Sequence, residues 1–147
     1  MRDKGRHYEH ELVALLNDLG LPAWRVPLSG ALGGRFSSDV RISIGKSELR
    51  IESKMRASPK GFKGFIENLP VSFIHNNQVF HAMPLEHLTL DTLGTMNVVA
   101  PKVILRWLGN NDALAIRLHK RLIGGSGWLI AINASSLEKL RKKMQNS

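Results

Sequence analysis

Residues 39–54, DVRISIGKSELRIESK, decide the fold of this chain more than any other stretch. Apolar side chains occupy every second position from Val40 to Ile44 and again from Leu49 to Ile51, with polar or charged residues between them. Such alternation is typical of β-strands that bury one face and expose the other. The segment between the two runs is short and contains Gly45, which favours a turn. The stretch is therefore predicted to be a β-hairpin with one apolar and one charged face.

The charged face of this hairpin carries residue types suited to phosphodiester chemistry. Glu52 and Lys54 are two positions apart on one strand, so their side chains emerge on the same face about 7 Å apart. Asp39 begins the partner strand on that face, and a carboxylate from each strand is an arrangement that holds a hard divalent cation such as Mg²⁺. A lysine beside them can orient an attacking water or stabilise developing charge. From the residues alone, a solvated strand face with cross-strand ion pairs remains the alternative.

The segments before the hairpin predict a helix, a short strand and a loop. Tyr8 and four leucines recur at helical spacing between residues 4 and 19, with Asp3 available as a cap and Gly20 as a stop. Residues 23–27 are typical of a short strand, and the glycines within residues 29–34 favour a loop.

The second half of the chain predicts a further hairpin, a helix, two strands and a closing basic helix capped by Ser135 or Ser136. The hairpin, the first helix and the two strands are predicted at Val71–Ile74 with Gln78–Met83, Lys102–Leu108, Ala113–Leu118 and Trp128–Ile132. Trp24, Trp107 and Trp128 all lie in apolar elements, which favours core packing over base stacking.

Composition and charge narrow the class of protein. A length of 147 residues is typical of one domain, and 43% hydrophobic with 22% charged residues are ordinary globular values. The absence of cysteine excludes a disulfide scaffold, a thiolate zinc site and a cysteine nucleophile. The first residues lack the apolar core of a signal peptide, so we expect an intracellular protein. A formal net charge of +9 favours a polyanionic partner, with nucleic acid first.

The basic residues are unevenly distributed along the chain. Residues 65–101 contain no lysine or arginine and three acidic residues, so all 21 basic residues lie in the two flanking segments. Phosphate binding depends on cations, and this segment is therefore not expected to face DNA. Its apolar side chains, including Phe80 and Leu88, are predicted to build or brace a contact between two subunits.

Four elements in the first half of the chain carry a family resemblance. They are Lys4-Gly5 opening a helix that contains Glu9, then Arg25-Val26-Pro27-Leu28-Ser29-Gly30, Ser38-Asp39-Val40 and Ile51-Glu52-Ser53-Lys54. In their order and spacing, residues 2–58 resemble the archaeal and phage type of Holliday-junction resolvase within the PD-(D/E)xK nuclease superfamily. The resemblance implies an α/β fold with a restriction-endonuclease-like core, in which a mixed central β-sheet is flanked by α-helices. We predict one nuclease domain over residues 1–147, in which the chain departs from the family pattern by an insertion at about residues 65–101.

The resemblance assigns roles to individual residues. It implies metal ligands at Glu9, Asp39 and Glu52, a base partner or charge stabiliser at Lys54, and a loop residue needed for cleavage at Ser29. Mg²⁺ is the implied cofactor, and Mn²⁺ is expected to substitute for it.

Helical periodicity alone does not decide which helix carboxylate belongs to the site. Glu9 and Glu11 flank the apolar stripe of the predicted helix at similar angles on opposite sides. The resemblance selects Glu9, and Glu11 remains the alternative.

The implied activity is that of a structure-selective endodeoxyribonuclease that resolves four-way (Holliday) DNA junctions by paired symmetric nicks, in DNA recombination and repair. Two symmetric nicks need two active sites, so a homodimer is expected. The expected location is the cytoplasm of a prokaryotic cell, or of a phage- or virus-infected host. The alternatives are another nuclease of the superfamily that acts on duplex or mismatched DNA, and a non-catalytic basic DNA-binding protein. The residues predicted to contact DNA are Lys4, Arg6, Arg25, Ser29, Arg35, Arg56, Lys60 and Lys63.

Overall fold

The computed structural model describes residues 2–26, 39–91 and 94–146, with side chains from residue 7 onward. In chain order the elements are α1 (Arg2–Asp18), β1 (Ala23–Arg25), β2 (Val40–Ile44), β3 (Ser47–Met55), α2 (Lys63–Glu67), β4 (Val71–His75), β5 (Gln78–Pro84), a 3₁₀ helix (Leu85–Thr89), β6 (Met96–Asn97), α3 (Lys102–Leu108), β7 (Ala113–Arg117), α4 (Lys120–Ile123), β8 (Trp128–Asn133) and α5 (Ala134–Gln145). Within these ranges no helix has the length and apolar character needed to cross a bilayer.

The described strands form one mixed sheet in the order β1-β2-β3-β7-β8-β5-β4-β6. β3 and β7 are parallel, as are β4 and β6, whereas the other neighbouring strands are antiparallel. Parallel neighbours need a long connection, and residues 56–112 supply it between β3 and β7 by carrying α2, β4 to β6 and α3. The predicted α/β class, with a mixed central sheet flanked by helices, is confirmed.

Two apolar clusters lie on opposite faces of the sheet. The first cluster joins α1 and α5 to the face that carries Val40 and Ile51. The second joins α2 and α3 to the other face, with Ile104 of α3 fully buried. Because side chains alternate along a strand, Glu52 and Lys54 project from β3 towards the second cluster. The charged face of the predicted hairpin therefore lies on the same side of the sheet as α3.

Both predicted hairpins are confirmed. β2 and β3 pair antiparallel along the whole of β2, in the register expected from the alternation in residues 39–54. β4 and β5 are joined by Asn76 and Asn77, whose φ angles of 52° and 61° are left-handed. Asparagine tolerates this backbone conformation better than most residues, and two such residues fit the type I′ turn that matches strand twist.

The segment 65–101 is part of the sheet. It contributes β4, β5 and β6, and β5 pairs directly with β8. Phe80 and Leu88 are 2% and 0% exposed and belong to the chain's own core. The prediction that these side chains brace a contact between subunits is therefore wrong. The sheet extends past β8 and buries them within one chain.

The cap of the closing helix also differs from the prediction. The side-chain oxygen of Asn133 accepts hydrogen bonds from the backbone N–H groups of Ser135 and Ser136, at 2.9 and 3.4 Å. Neither serine is the cap, because the cap is Asn133, two residues before Ser135 and three before Ser136. Asparagine satisfies free N–H groups at a helix start as well as serine does.

Candidate active site

Asp39 and Glu52 lie opposite each other at the open end of the first hairpin. The last registered pair of β2 and β3 at that end is Val40 with Ile51, and the next step of the register sets Asp39 against Glu52. The backbone N–H of Ser53 donates a hydrogen bond to Oδ2 of Asp39 at 3.0 Å. This bond holds the Asp39 carboxyl group against β3, beside the side chain of Glu52.

The pKa values of both carboxyl groups are raised by burial. Burial and the nearby charge of Asp39 raise the pKa of Glu52 from 4.5 to about 7. Burial also raises the pKa of Asp39, although the Ser53 N–H and the charge of Lys54 oppose the rise. The negative charge of Asp39 is the second cause of the rise at Glu52, after burial, and the positive charge of Lys54 opposes it. Two carboxylates this close do not both ionise readily unless a cation is present.

Lys54 supplies a positive charge on the same face. Its Nζ lies 3.7 Å from Oε2 of Glu52, and its side chain is 29% exposed to solvent. The ammonium group therefore remains accessible to a substrate while it stays beside the carboxyl pair. The structure thus brings together Asp39, Glu52 and Lys54, as the hairpin pattern predicts.

Glu9, on α1, forms an ion pair with an arginine. Its Oε1 accepts a hydrogen bond at 2.9 Å from Nε of Arg25 on β1. The positive charge of Arg25 also lowers the pKa of Asp39, which connects the ion pair electrostatically to the carboxyls. Across the described ranges, no three His, Cys, Asp or Glu side chains are grouped closely enough to hold one metal ion. Within the described residues, Glu9 is therefore connected to the Asp39–Glu52 pair only through the charge of Arg25.

Glu11 has a different environment. Its Oε1 accepts hydrogen bonds from Nε of Arg117 at 2.8 Å and from Nε1 of Trp128 at 2.7 Å. These bonds fasten α1 to β7 and β8. Arg117 also lies over the ring of Tyr8, 5.5 Å from its centroid. Between the two helix carboxylates that periodicity leaves open, Glu11 is thus engaged in the packing of α1, and Glu9 is the one linked to Asp39.

The donor set fits a divalent cation such as Mg²⁺. Asp39 and Glu52 offer hard oxygen ligands from two neighbouring strands, and the raised pKa values of both groups show that two negative charges at this position are unfavourable without a cation. Mg²⁺ usually binds through one or two carboxylates, with water and substrate phosphate completing its shell. Two protein carboxylates therefore suffice for such a site.

The predicted DNA contacts are only partly placed by the structure. Ser29 and Arg35 lie outside the described residues, as do the side chains of Lys4 and Arg6. The remaining predicted contacts lie near the site or on the adjoining surface: Arg25 in its ion pair with Glu9, and the exposed Arg56, Lys60 and Lys63.

A second group of basic residues was not predicted from the sequence. The exposed residues His119, Lys120 and Arg121 follow β7, and the backbone N–H of His119 donates to the carbonyl of Ala57 at 3.4 Å. They therefore lie beside the segment that leaves β3. The only sequence signal was the basic character of residues 102–147, which gives no position in space.

Comparison with known proteins gives similarities to solved structures. No family model and no curated protein matches the chain. Among solved structures, the chain is similar to that of Archaeoglobus fulgidus Hjc, a Holliday junction resolvase from an archaeal hyperthermophile. The match has 18% sequence identity and a TM-score of 0.40, and it covers 95% of this chain and 98% of the other. The site residues are accordingly assigned from the geometry of this chain.

Proposed function

We propose that the chain is a Mg²⁺-dependent endodeoxyribonuclease that resolves four-way DNA junctions by paired symmetric nicks. The observation that carries the proposal is the Asp39–Glu52 carboxyl pair with the Lys54 ammonium 3.7 Å from Glu52. The order of motifs in residues 2–58, which resembles that of the archaeal and phage resolvases, supports the junction as substrate.

Each residue of this group has a distinct task in phosphodiester hydrolysis. Asp39 and Glu52 would hold the divalent ion, for which Mn²⁺ is expected to substitute. The ion, when bound, polarises the phosphoryl oxygen and lowers the pKa of an attacking water. Lys54 places its ammonium beside the scissile phosphate, where it orients that water or stabilises the negative charge of the transition state.

Glu52 must give up its proton before it can act as a ligand. Because its pKa is raised to about 7, Glu52 in the metal-free site remains mostly protonated at pH values below neutrality. Ion binding therefore competes with protonation and releases a proton. The guanidinium of Arg25, which pairs with Glu9, favours the ionised form of Asp39.

The charge of the molecule favours DNA as the substrate. The net charge is +9, and exposed basic residues lie on both sides of the end of β3. Such residues bind the phosphate backbone regardless of sequence, so selectivity for a branched shape would come from the spacing of two active sites in a homodimer.

One experiment separates this proposal from its alternatives. Purified protein with Mg²⁺ is incubated with a labelled four-way junction, a linear duplex of matching sequence and a mismatched duplex. The proposal expects paired symmetric nicks in the junction alone, whereas cleavage of the duplexes would indicate another nuclease specificity. Binding without cleavage would indicate a non-catalytic protein. Glu48→Gln, on the exposed end of the same hairpin, is the matched control for Glu52→Gln.

A further inference from the structure

Trp107 on α3 contacts the cationic residues that continue the site along β3. Its indole ring lies 4.8 Å from the guanidinium carbon of Arg56 and 6.0 Å from Nζ of Lys54, measured to the ring centroid. The sequence predicted core packing for this tryptophan. The ring does pack against the second apolar cluster, but it is only half-buried and also meets both cations.

The position of the indole ring is fixed by the core. Ile104 and Leu108, on the same helix, are 0% exposed and anchor α3 to the sheet. Phe62 is 3% exposed and meets Trp107 edge-on, with centroids 5.8 Å apart and an interplanar angle of 84°. The ring is therefore a rigid surface on which flexible side chains can rest.

The backbone places both cations on the same face as the carboxyl pair. Glu52, Lys54 and Arg56 are spaced by two residues, and the N–H of Arg56 continues the pairing with β7 by donating to the carbonyl of Arg117 at 2.9 Å. Side chains at this spacing share one face of a strand. A carboxylate, an ammonium and a guanidinium thus follow one another along the strand.

The Arg56 side chain is held in two ways. Its Nη1 donates to the carbonyl of Met55 at 2.8 Å, while its guanidinium plane rests near the indole. Lysine and arginine side chains have many rotamers, so a cation that an aromatic face already holds loses less conformational freedom when it meets a phosphate. Such preorganisation favours both binding and the transition state.

We propose that Trp107 is a positioning residue, which holds Lys54 and Arg56 side by side above its indole face so that both cations meet a phosphodiester at the Asp39–Glu52 pair. This inference rests on the proposed function. In this arrangement Lys54 acts on the reacting phosphate and Arg56 binds the neighbouring backbone. Loss of the aromatic face should therefore lower kcat through Lys54 and raise KM through Arg56.

Steady-state cleavage tests the division of roles. Trp107→Leu is expected to lower kcat/KM by about 10- to 30-fold, the range that two weak cation–π contacts support. Trp107→Phe keeps an aromatic face and should recover most of this loss. Leu105→Ala, which shortens a half-buried side chain on the same helix, is the control for a general disturbance of α3 and should stay close to the parental rate.

A spectroscopic readout makes the test independent of cleavage. The indole ring current should shift the Hε protons of Lys54 and the Hδ protons of Arg56 upfield in side-chain NMR spectra. Trp107→Leu should abolish these shifts and weaken the binding of a short DNA oligonucleotide, whereas Leu105→Ala should preserve both. Unshifted resonances in the parental protein, or unchanged DNA affinity in Trp107→Leu, would overturn the inference. A parental protein that binds DNA but never cleaves it would overturn the proposed function and leave the role of Trp107 to these two measurements.

Discussion

Glu52→Gln is expected to stabilise the metal-free protein above neutral pH. In the folded chain, burial and the charge of Asp39 raise the pKa of Glu52 from 4.5 to about 7. Between these two pH values the folded protein retains a proton that the unfolded chain has released. Folding stability falls with rising pH wherever the folded state binds more protons. The stabilising contribution of protonated Glu52 to the free energy of unfolding is therefore fully present below about pH 4.5. It decreases up to about pH 7 and changes little above it.

The size of the effect follows from the same pKa difference. One pKa unit corresponds to about 1.36 kcal/mol, so the rise from 4.5 to about 7 sets an upper bound of about 3 kcal/mol. The Glu52 side chain is 20% exposed to solvent, so water partly screens its charge and lowers the effect below this bound. We expect a gain of about 1–3 kcal/mol for Glu52→Gln at about pH 8, or roughly 2–12 °C in Tm for a domain of this size. The gain should become small near pH 4.5 and disappear below it, where the wild-type side chain is protonated in both the folded and the unfolded state.

The assay is thermal or chemical unfolding in EDTA at several pH values from about 4.5 to 8. Glu48→Gln is the control, because its side chain is 59% exposed and pairs with Arg41 on the same hairpin. Its stability should follow the wild-type profile. Parallel profiles for the wild type and Glu52→Gln would refute the burial and pairing of this carboxyl. Adding Mg²⁺ should then raise the Tm of the wild type and leave that of Glu52→Gln almost unchanged.

Three further outcomes are expected. Asp39→Asn should abolish junction cleavage because it removes a metal ligand, whereas junction affinity in gel shifts should persist or increase because it also removes a charge that repels phosphate. Retained cleavage would remove Asp39 from the site. Glu11→Gln should lower the free energy of unfolding by about 1–3 kcal/mol in denaturant, because it weakens the bonds to Arg117 and Trp128, yet the variant should cut at a near-parental rate. Glu9→Gln should reduce cleavage, and the reverse pattern would exchange the roles of the two residues. Phe80→Glu should destabilise the fold by more than about 3 kcal/mol in the same measurement, and a stable monomer would instead place this residue at a subunit contact.

The parts of the structure that depend on local pairing could be predicted from the sequence. The hairpin of residues 39–54 shows its period directly, and its partner strands are joined by a short turn, so the pattern also fixes the register that sets Asp39 against Glu52. The pairing of β3 with β7 has no such signal. Ile51 lies against Ala113, far along the chain, and nothing in either strand identifies the other.

The distinction between Glu9 and Glu11 required three-dimensional partners. Helical spacing gives both carboxylates the same relation to the apolar stripe, and only the folded chain sets Arg25 beside one and Arg117 beside the other. The same limit applies to segment 65–101. Its apolar residues signalled a surface that must be buried, but composition does not say whether the cover comes from the same chain or from a second one.

The connection between β3 and β7, which contains this segment, links the core to the proposed chemistry. Its strands extend the sheet past β8, and together with α2 and α3 it builds the second apolar cluster. Phe62, at the start of α2, supports Trp107, and Trp107 in turn meets Lys54 and Arg56 beyond Glu52. The motif on β3 supplies the reactive groups, but their side chains are long and adopt one arrangement only against a fixed surface. Core residues that take no part in the chemistry, such as Phe62, can therefore still control cleavage through the position of the Trp107 indole ring.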